Sequence, residues 1–185
     1  MLIETGHARF ATETILPDRR ETLGKLREID PTARALFASL LGLYLADPEA
    51  PDTWDKSALL RWVIDRERDK FWAPPLNALG VTPDQRRRLE RLLAVACFCD
   101  GIQHDDNHDQ LDRVRDCLAF KALETDGDIL RQRYGVVSGR PVDNRFHPLL
   151  PDLVGERFLL DILWNYETGQ HDRDAAHLVR LAWSL

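Results

Sequence analysis

Nowhere in these 185 residues does an apolar run approach the roughly 20 residues that a membrane-spanning helix requires. The opening segment MLIETGHARFATETIL also lacks the continuous apolar core of a signal peptide. These two absences predict a soluble chain that stays in the cytoplasm. Cysteine is scarce, three residues in all, and Cys97 and Cys99 are one residue apart on a predicted helix, where their side chains diverge. That argues against a disulfide framework and for a reducing compartment. Lysine is nearly missing, with 4 residues against 21 arginines, and the net charge of −6 denies the molecule as a whole a cationic face for nucleic acid or an anionic membrane. Neither GxxxxGK[ST] nor GxGxxG occurs; Gly24 is the only glycine followed by lysine, and Arg19 stands five residues before it. No serine or cysteine sits in a nucleophile elbow. Hydrolysis of a nucleotide by a P-loop is therefore excluded for this chain alone.

The chain is rich in helix signals. At 44% hydrophobic it is globular rather than disordered. Glu21 to Arg27 reads as a short helix. Asp30-Pro31 then supplies a cap and a first-turn proline for a helix apolar on most of its surface, ending before Asp47-Pro48. A third helix is predicted from Trp54 to Phe71, with DRERDK outward and Ala73-Pro74-Pro75 as its stop. Thr82-Pro83 opens another to about Cys99, broken by Asp100-Gly101. Helices are expected from Asp106 or Asn107 to Leu123, from Asp128 to Arg133 with a stop at Gly135, from Pro151-Asp152 to Tyr166, and from Arg173 to Trp183. Between them, turn signals at Ser138-Gly139 and Asp143-Asn144 predict one small β-hairpin from Val136 to Leu150.

The expected fold is thus mostly α. A helical lid lobe (1–79) precedes a winged-helix-like lobe with one small β-hairpin (80–150), and a C-terminal helix pair (151–185) closes the chain. Helices followed by a hairpin are the order of a winged-helix unit.

Three constellations bear on chemistry. CFCDGIQHDDNHD holds His104, Asp105, His108 and Asp109 close together, the residue types a metal takes, but without the spacing of a zinc module; acidic residues at a helix start also favour its dipole. His104-Asp105 and His171-Asp172 each match the two-residue signature of a helical metal-dependent hydrolase, a pattern that needs structural context before it counts. The cluster Arg86, Arg87, Arg88 and Arg91 lies toward a helix start, where positive charge is disfavoured. It reads either as a contact patch for an acidic partner or as a solvated face neutralised by Asp84 and Glu90.

The segment IDPTARALFASLLGLYLADPEAPDTWDKSALLRWVIDRERDKFW resembles the helical lid of STAND NTPases, the signalling ATPases related to NB-ARC and NACHT proteins. The match falls at Asp30, Pro31, Arg34, Leu36, Phe37 and Ala38, and again at Leu59, Leu60, Arg66, Glu67 and Trp72; it departs at Ala35, where that family has proline. HPLLPDLVGERFLLDIL is similar to the helix after the wing in the same proteins, at Pro151, Asp152, Leu153, Val154, Gly155 and Glu156. The resemblance implies a non-catalytic regulatory segment that binds no cofactor alone and meets ATP or ADP through a P-loop NTPase core, in cis or in trans. It implies Arg34, Pro151 and Asp152 as nucleotide-sensing residues, since a helix start is an anion site. It further implies homo-oligomerisation and signalling, with antiphage defence the common setting. From other classes, the residues leave open a winged-helix DNA-binding regulator and a metal-dependent hydrolase.

Overall fold

In the computed structural model, the described residues are 18–32, 35–47, 55–105, 108–117, 120, 126–150, 152–165, 170–172 and 174–185. They are mostly helical, and the chain divides into two compact units, 1–65 and 66–185.

In the first unit, Asp18 accepts the free backbone donors of Arg20 at 2.6 Å and Glu21 at 3.3 Å, and so starts helix α1, Arg19–Ile29. Asp30 ends this helix. Its buried carboxylate accepts the Thr32 hydroxyl at 2.8 Å and holds the turn toward α2, Ala35–Ala46. Phe37, Leu40, Leu41 and Tyr44 of α2 are buried. In helix α3, Lys56–Arg66, Trp62 meets Tyr44 edge to face at 5.1 Å, and Lys56 lies over the Phe37 ring.

The second unit opens with a change of helical pitch. Pro74 and Pro75 carry no N–H, and in an α-helix their rings would collide with the carbonyls four residues back. Ahead of them the chain widens into a π-turn, Glu67–Trp72, in which the Ala73 N–H reaches back five residues to the Arg68 carbonyl. The prolines then occupy the first turn of helix α4, Ala73–Ala78, where a missing donor costs nothing. They start this helix rather than stopping the one before.

Helix α5, Pro83–Phe98, is the centre of the unit. Thr82 and Gln85 cap it reciprocally: Gln85 N–H donates to the Thr82 hydroxyl and Thr82 N–H to the Gln85 side chain at 2.9 Å. Leu92, Leu93, Ala94, Val95 and Ala96 are buried all round, so α5 is packed on several sides: by α7 (Gly127–Ser138), α8 (Asp152–Leu163) and α9 (Ala175–Ser184).

The chain leaves α5 through Asp100 and Gly101, both at positive φ, and enters strand β1, Ile102–Asp105, which turns back as β2, His108–Asp109. Helix α6 runs from Gln110 to Asp116; the start expected at Asp106 or Asn107 and the end expected at Leu123 lie outside the described residues. The hairpin expected over 136–150 does not form there. Val136 and Val137 belong to α7, which passes through Gly135 and stops at Gly139, where φ of 67° suits a residue without Cβ. Arg145–Phe146, β3, pairs instead with β1, Ile102 opposite Phe146, giving the order β2-β1-β3. Phe146 is fully buried against Tyr134, edge to face at 4.9 Å, and this contact draws β3 inward. A second pairing, β4 (Trp164–Asn165) with β5 (Gln170–His171), links α8 to α9.

The expected boundary at 79 falls inside the second unit, as does that at 150. The C-terminal helices are not an appendage, because α8 and α9 both pack on α5.

Candidate functional site

The residues richest in chemistry gather around α5 in the second unit. Toward its start, the arginine cluster is spent largely on internal contacts. Arg86 donates to the Asn77 side chain at 2.9 Å. Arg91 reaches Asp172 at 3.1 Å and Asp174 at 2.7 Å, tying α5 to the turn before α9. Arg87 and Asp84 form a loose pair at 3.8 Å in which both side chains are more than three-quarters exposed, a contact of little energetic weight. Arg88 is half-buried. Arg86 and Arg91 are thus engaged within the unit, Arg87 stays exposed beside Asp84, and Glu90 faces elsewhere.

Glu90 faces the π-turn. Both Nε and Nη2 of Arg68 contact Glu90 Oε2, at 3.1 and 3.0 Å, and the guanidinium lies 5.4 Å from the Phe158 ring centre. Trp72, buried, meets the same ring edge to face at 5.9 Å. Arg68 belongs to the run DRERDK that helical periodicity set outward, and this is a correction. Four residues apart, Arg68 and Trp72 share a face and meet the same aromatic ring. Burial raises the Glu67 carboxyl above its ordinary pKa, against the opposing pull of Arg66, whose own guanidinium lies over Phe71.

At the other end of α5, Cys97 accepts the Leu149 N–H at 3.3 Å. Burial pushes its thiol up to about 11, outweighing that hydrogen bond. Cys97 is thus held as an unreactive thiol at neutral pH. Cys99 donates to the Ala182 carbonyl at 3.4 Å, and burial raises its pKa too. Gly155 of α8 lies where the chain crosses: a Cβ there would stand 2.9 Å from the Leu149 carbonyl oxygen and 3.5 Å from Cys97 Sγ. Its absence of a side chain seats α8 beside α5 and the 147–150 segment. Close packing accounts for this glycine.

Among the residues implied to sense nucleotide, Arg34 and Pro151 lie outside the described residues. Asp152 is the first residue of α8, with its side chain undescribed. His104, Asp105, His108 and Asp109 lie on the β1–β2 hairpin, where His104 is opposite Asp109 and Asp105 opposite His108. Their side chains are likewise outside the description, and among the described residues no group of three or more His, Cys, Asp or Glu is placed to hold a metal ion.

Sequence reasoning missed three features: the Arg68–Glu90 pair, the Arg91–Asp172–Asp174 bridge, and the ion pair of Arg157 and Asp161 at 3.0 Å, nearly buried within α8. A cleft lined by Val95, Phe98, Leu159, Leu163, Leu178 and Ala182 has a volume of only about 10 Å³, the room of a single water. Beside it Trp183, 77% exposed, rests edge to face on Phe98. Among the described residues no helix is long and apolar enough to cross a membrane. No protein-family model, curated protein or solved structure matches this chain.

Proposed function

We propose that this chain is a non-catalytic regulatory segment of a STAND-type signalling NTPase, acting in the cytoplasm with a P-loop core supplied in cis or in trans. Nucleotide state in that core would bias the chain between two arrangements, and one of them would expose a surface for homo-oligomerisation, as in antiphage signalling. The observation that carries the proposal is the seating of α8. The helix carrying Asp152-Leu153-Val154-Gly155-Glu156 starts at Asp152 and packs on α5, with Gly155 against Cys97 and the Leu149 carbonyl, an arrangement that would let a change at its start reach α5. The inert thiol at Cys97 and the internally paired arginines are consistent with a part that transmits rather than catalyses.

The test is affinity purification of the tagged full chain from its source cells, with ATP or ADP present. A co-purifying protein with a P-loop, whose association differs between the two nucleotides, is the expected result. ATP turnover by the purified chain alone would overturn the proposal, as would recovery that never includes a P-loop protein under either condition.

A further inference from the structure

Three of the exposed large apolar side chains, Phe98, Leu160 and Trp183, fall on one face of the second unit. Apolar surface gathered in this way marks a contact site. The face is built by α8 and α9, which both lie on α5. Helix α8 runs against the direction of α5: Gly155 stands beside Cys97, and the Leu163 carbonyl accepts the N–H of Asp172, the residue that Arg91 holds, at 3.1 Å. Helix α9 runs with α5, from Asp174 at Arg91 to Ala182 at Cys99. Between the two helices lies the cleft, with Leu159 and Leu163 on one wall and Val179 and Ala182 on the other. With room for a single water it admits no side chain, so an occupant of this face rests across the two lips.

The lips match each other in reverse. Helical spacing sets Leu153, Glu156 and Leu160 along the outer side of α8, and Ala176, Arg180 and Trp183 along that of α9. Leu153 is half-buried and the other five are exposed. Counted from the contacts with α5, Leu153 stands level with Trp183, Glu156 with Arg180, and Leu160 with Ala176. At the central level the charges are opposite, and among the described residues neither Glu156 nor Arg180 has an ion-pair partner within the chain. A nucleic acid or an anionic membrane would meet Glu156 there and a net charge of −6 behind it.

We propose that this face binds a second copy of the chain about a two-fold axis parallel to α5. Such an axis leaves every residue at its own level and exchanges the lips. Glu156 of each copy then meets Arg180 of the other, Trp183 meets Leu153, and Leu160 meets the small Ala176, each contact occurring twice. With α8 and α9 only 12 and 10 residues long, about 15–18 Å, the footprint is at the small end for a specific interface, and the dimer dissociates in the micromolar range. The inference names a surface for the homo-oligomerisation in the reading above without resting on it, since the dimer needs neither nucleotide nor a P-loop core.

The experiment is sedimentation velocity of the purified full chain from about 1 to 300 µM, a range that brackets the expected dissociation constant. The mass should rise from monomer to dimer across it. Trp183→Ala should weaken the dimer by at least about thirtyfold, as loss of a central aromatic does. Glu156→Arg and Arg180→Glu should each weaken it by about tenfold, and the double variant Glu156→Arg/Arg180→Glu should recover most of the parent affinity. All three positions are exposed, so the fold does not require them. A chain monomeric throughout the range would overturn the proposal, whether or not the face took up a helix of another protein. So would a dimer indifferent to Trp183→Ala, or charge variants whose combination recovers nothing. None of these outcomes touches association with a P-loop protein, which is read separately by co-purification.

Discussion

At single positions, steric contact and burial give the firmest expectations. Gly155→Ala places a methyl group 2.9 Å from the Leu149 carbonyl, a backbone atom with little freedom to yield. Overpacking of that kind costs about 1–3 kcal/mol, and the better helix propensity of alanine returns about 1 kcal/mol. A net loss of stability is expected, and urea denaturation of the variant against the parent measures it. Glu67 makes the opposite case. Burial raises its pKa in the folded state above that of the unfolded chain, so folding takes up protons there. Its contribution to stability is complete below the unfolded value and declines as pH rises through the folded one. Glu67→Gln should accordingly be more stable than the parent at pH 7, and its stability should change less between pH 4 and 7; melting temperatures across that range would reveal a parallel profile if burial of the charge were unimportant.

Among the elements, the start of α5 was the most legible part of the sequence, whereas Asp30, expected to cap α2, closes α1 instead. Thr82, Pro83 and Gln85 announce the start of α5 by residue type alone, and the structure places both capping bonds there. Thr82→Ala should cost about 1 kcal/mol, read by chemical denaturation, whereas Thr82→Ser should cost far less. Helix α2 and its end before Asp47 were equally plain from composition. What could not be read was decided by partners distant in sequence. Val136 and Val137 have strand-like side chains, but α7 continues through them because Tyr134 and Val137 both bury on the inner side and Gly139 offers the better stop. The strand role passed to Ile102–Asp105, whose pairing with Arg145–Phe146 bridges more than forty residues and leaves no local pattern. Arg68 was misplaced because it was grouped with its charged neighbours, although it stands four residues before the buried Trp72 and so on the same face of the helix.

Over the second unit as a whole, charge pairs join parts that hydrophobic contact also joins. Arg91 connects α5 with the turn ahead of α9, while Leu178, Leu181 and Ala182 bury the inner face of α9. With Arg91 and both aspartates partly exposed, Arg91→Ala should cost about 1 kcal/mol, and the difference from the parent should shrink in high salt. Asp161→Ala should cost more, about 3 kcal/mol, since it strands Arg157 in a nearly buried place; equilibrium unfolding of the two variants side by side would rank them. The edge-to-face pair of Phe98 and Trp183 has an optical consequence. Trp183 is 77% exposed and Trp72 only 2%, so the two indoles report opposite environments within one fluorescence spectrum. Iodide, an anion that does not enter protein interiors, should quench the light of Trp183 far more than that of Trp72, and Trp183→Phe should reduce the quenchable fraction, to which the half-buried Trp62 and Trp164 also contribute. Any molecule that settles over Phe98 would then announce itself as protection from iodide, with no label attached to the chain.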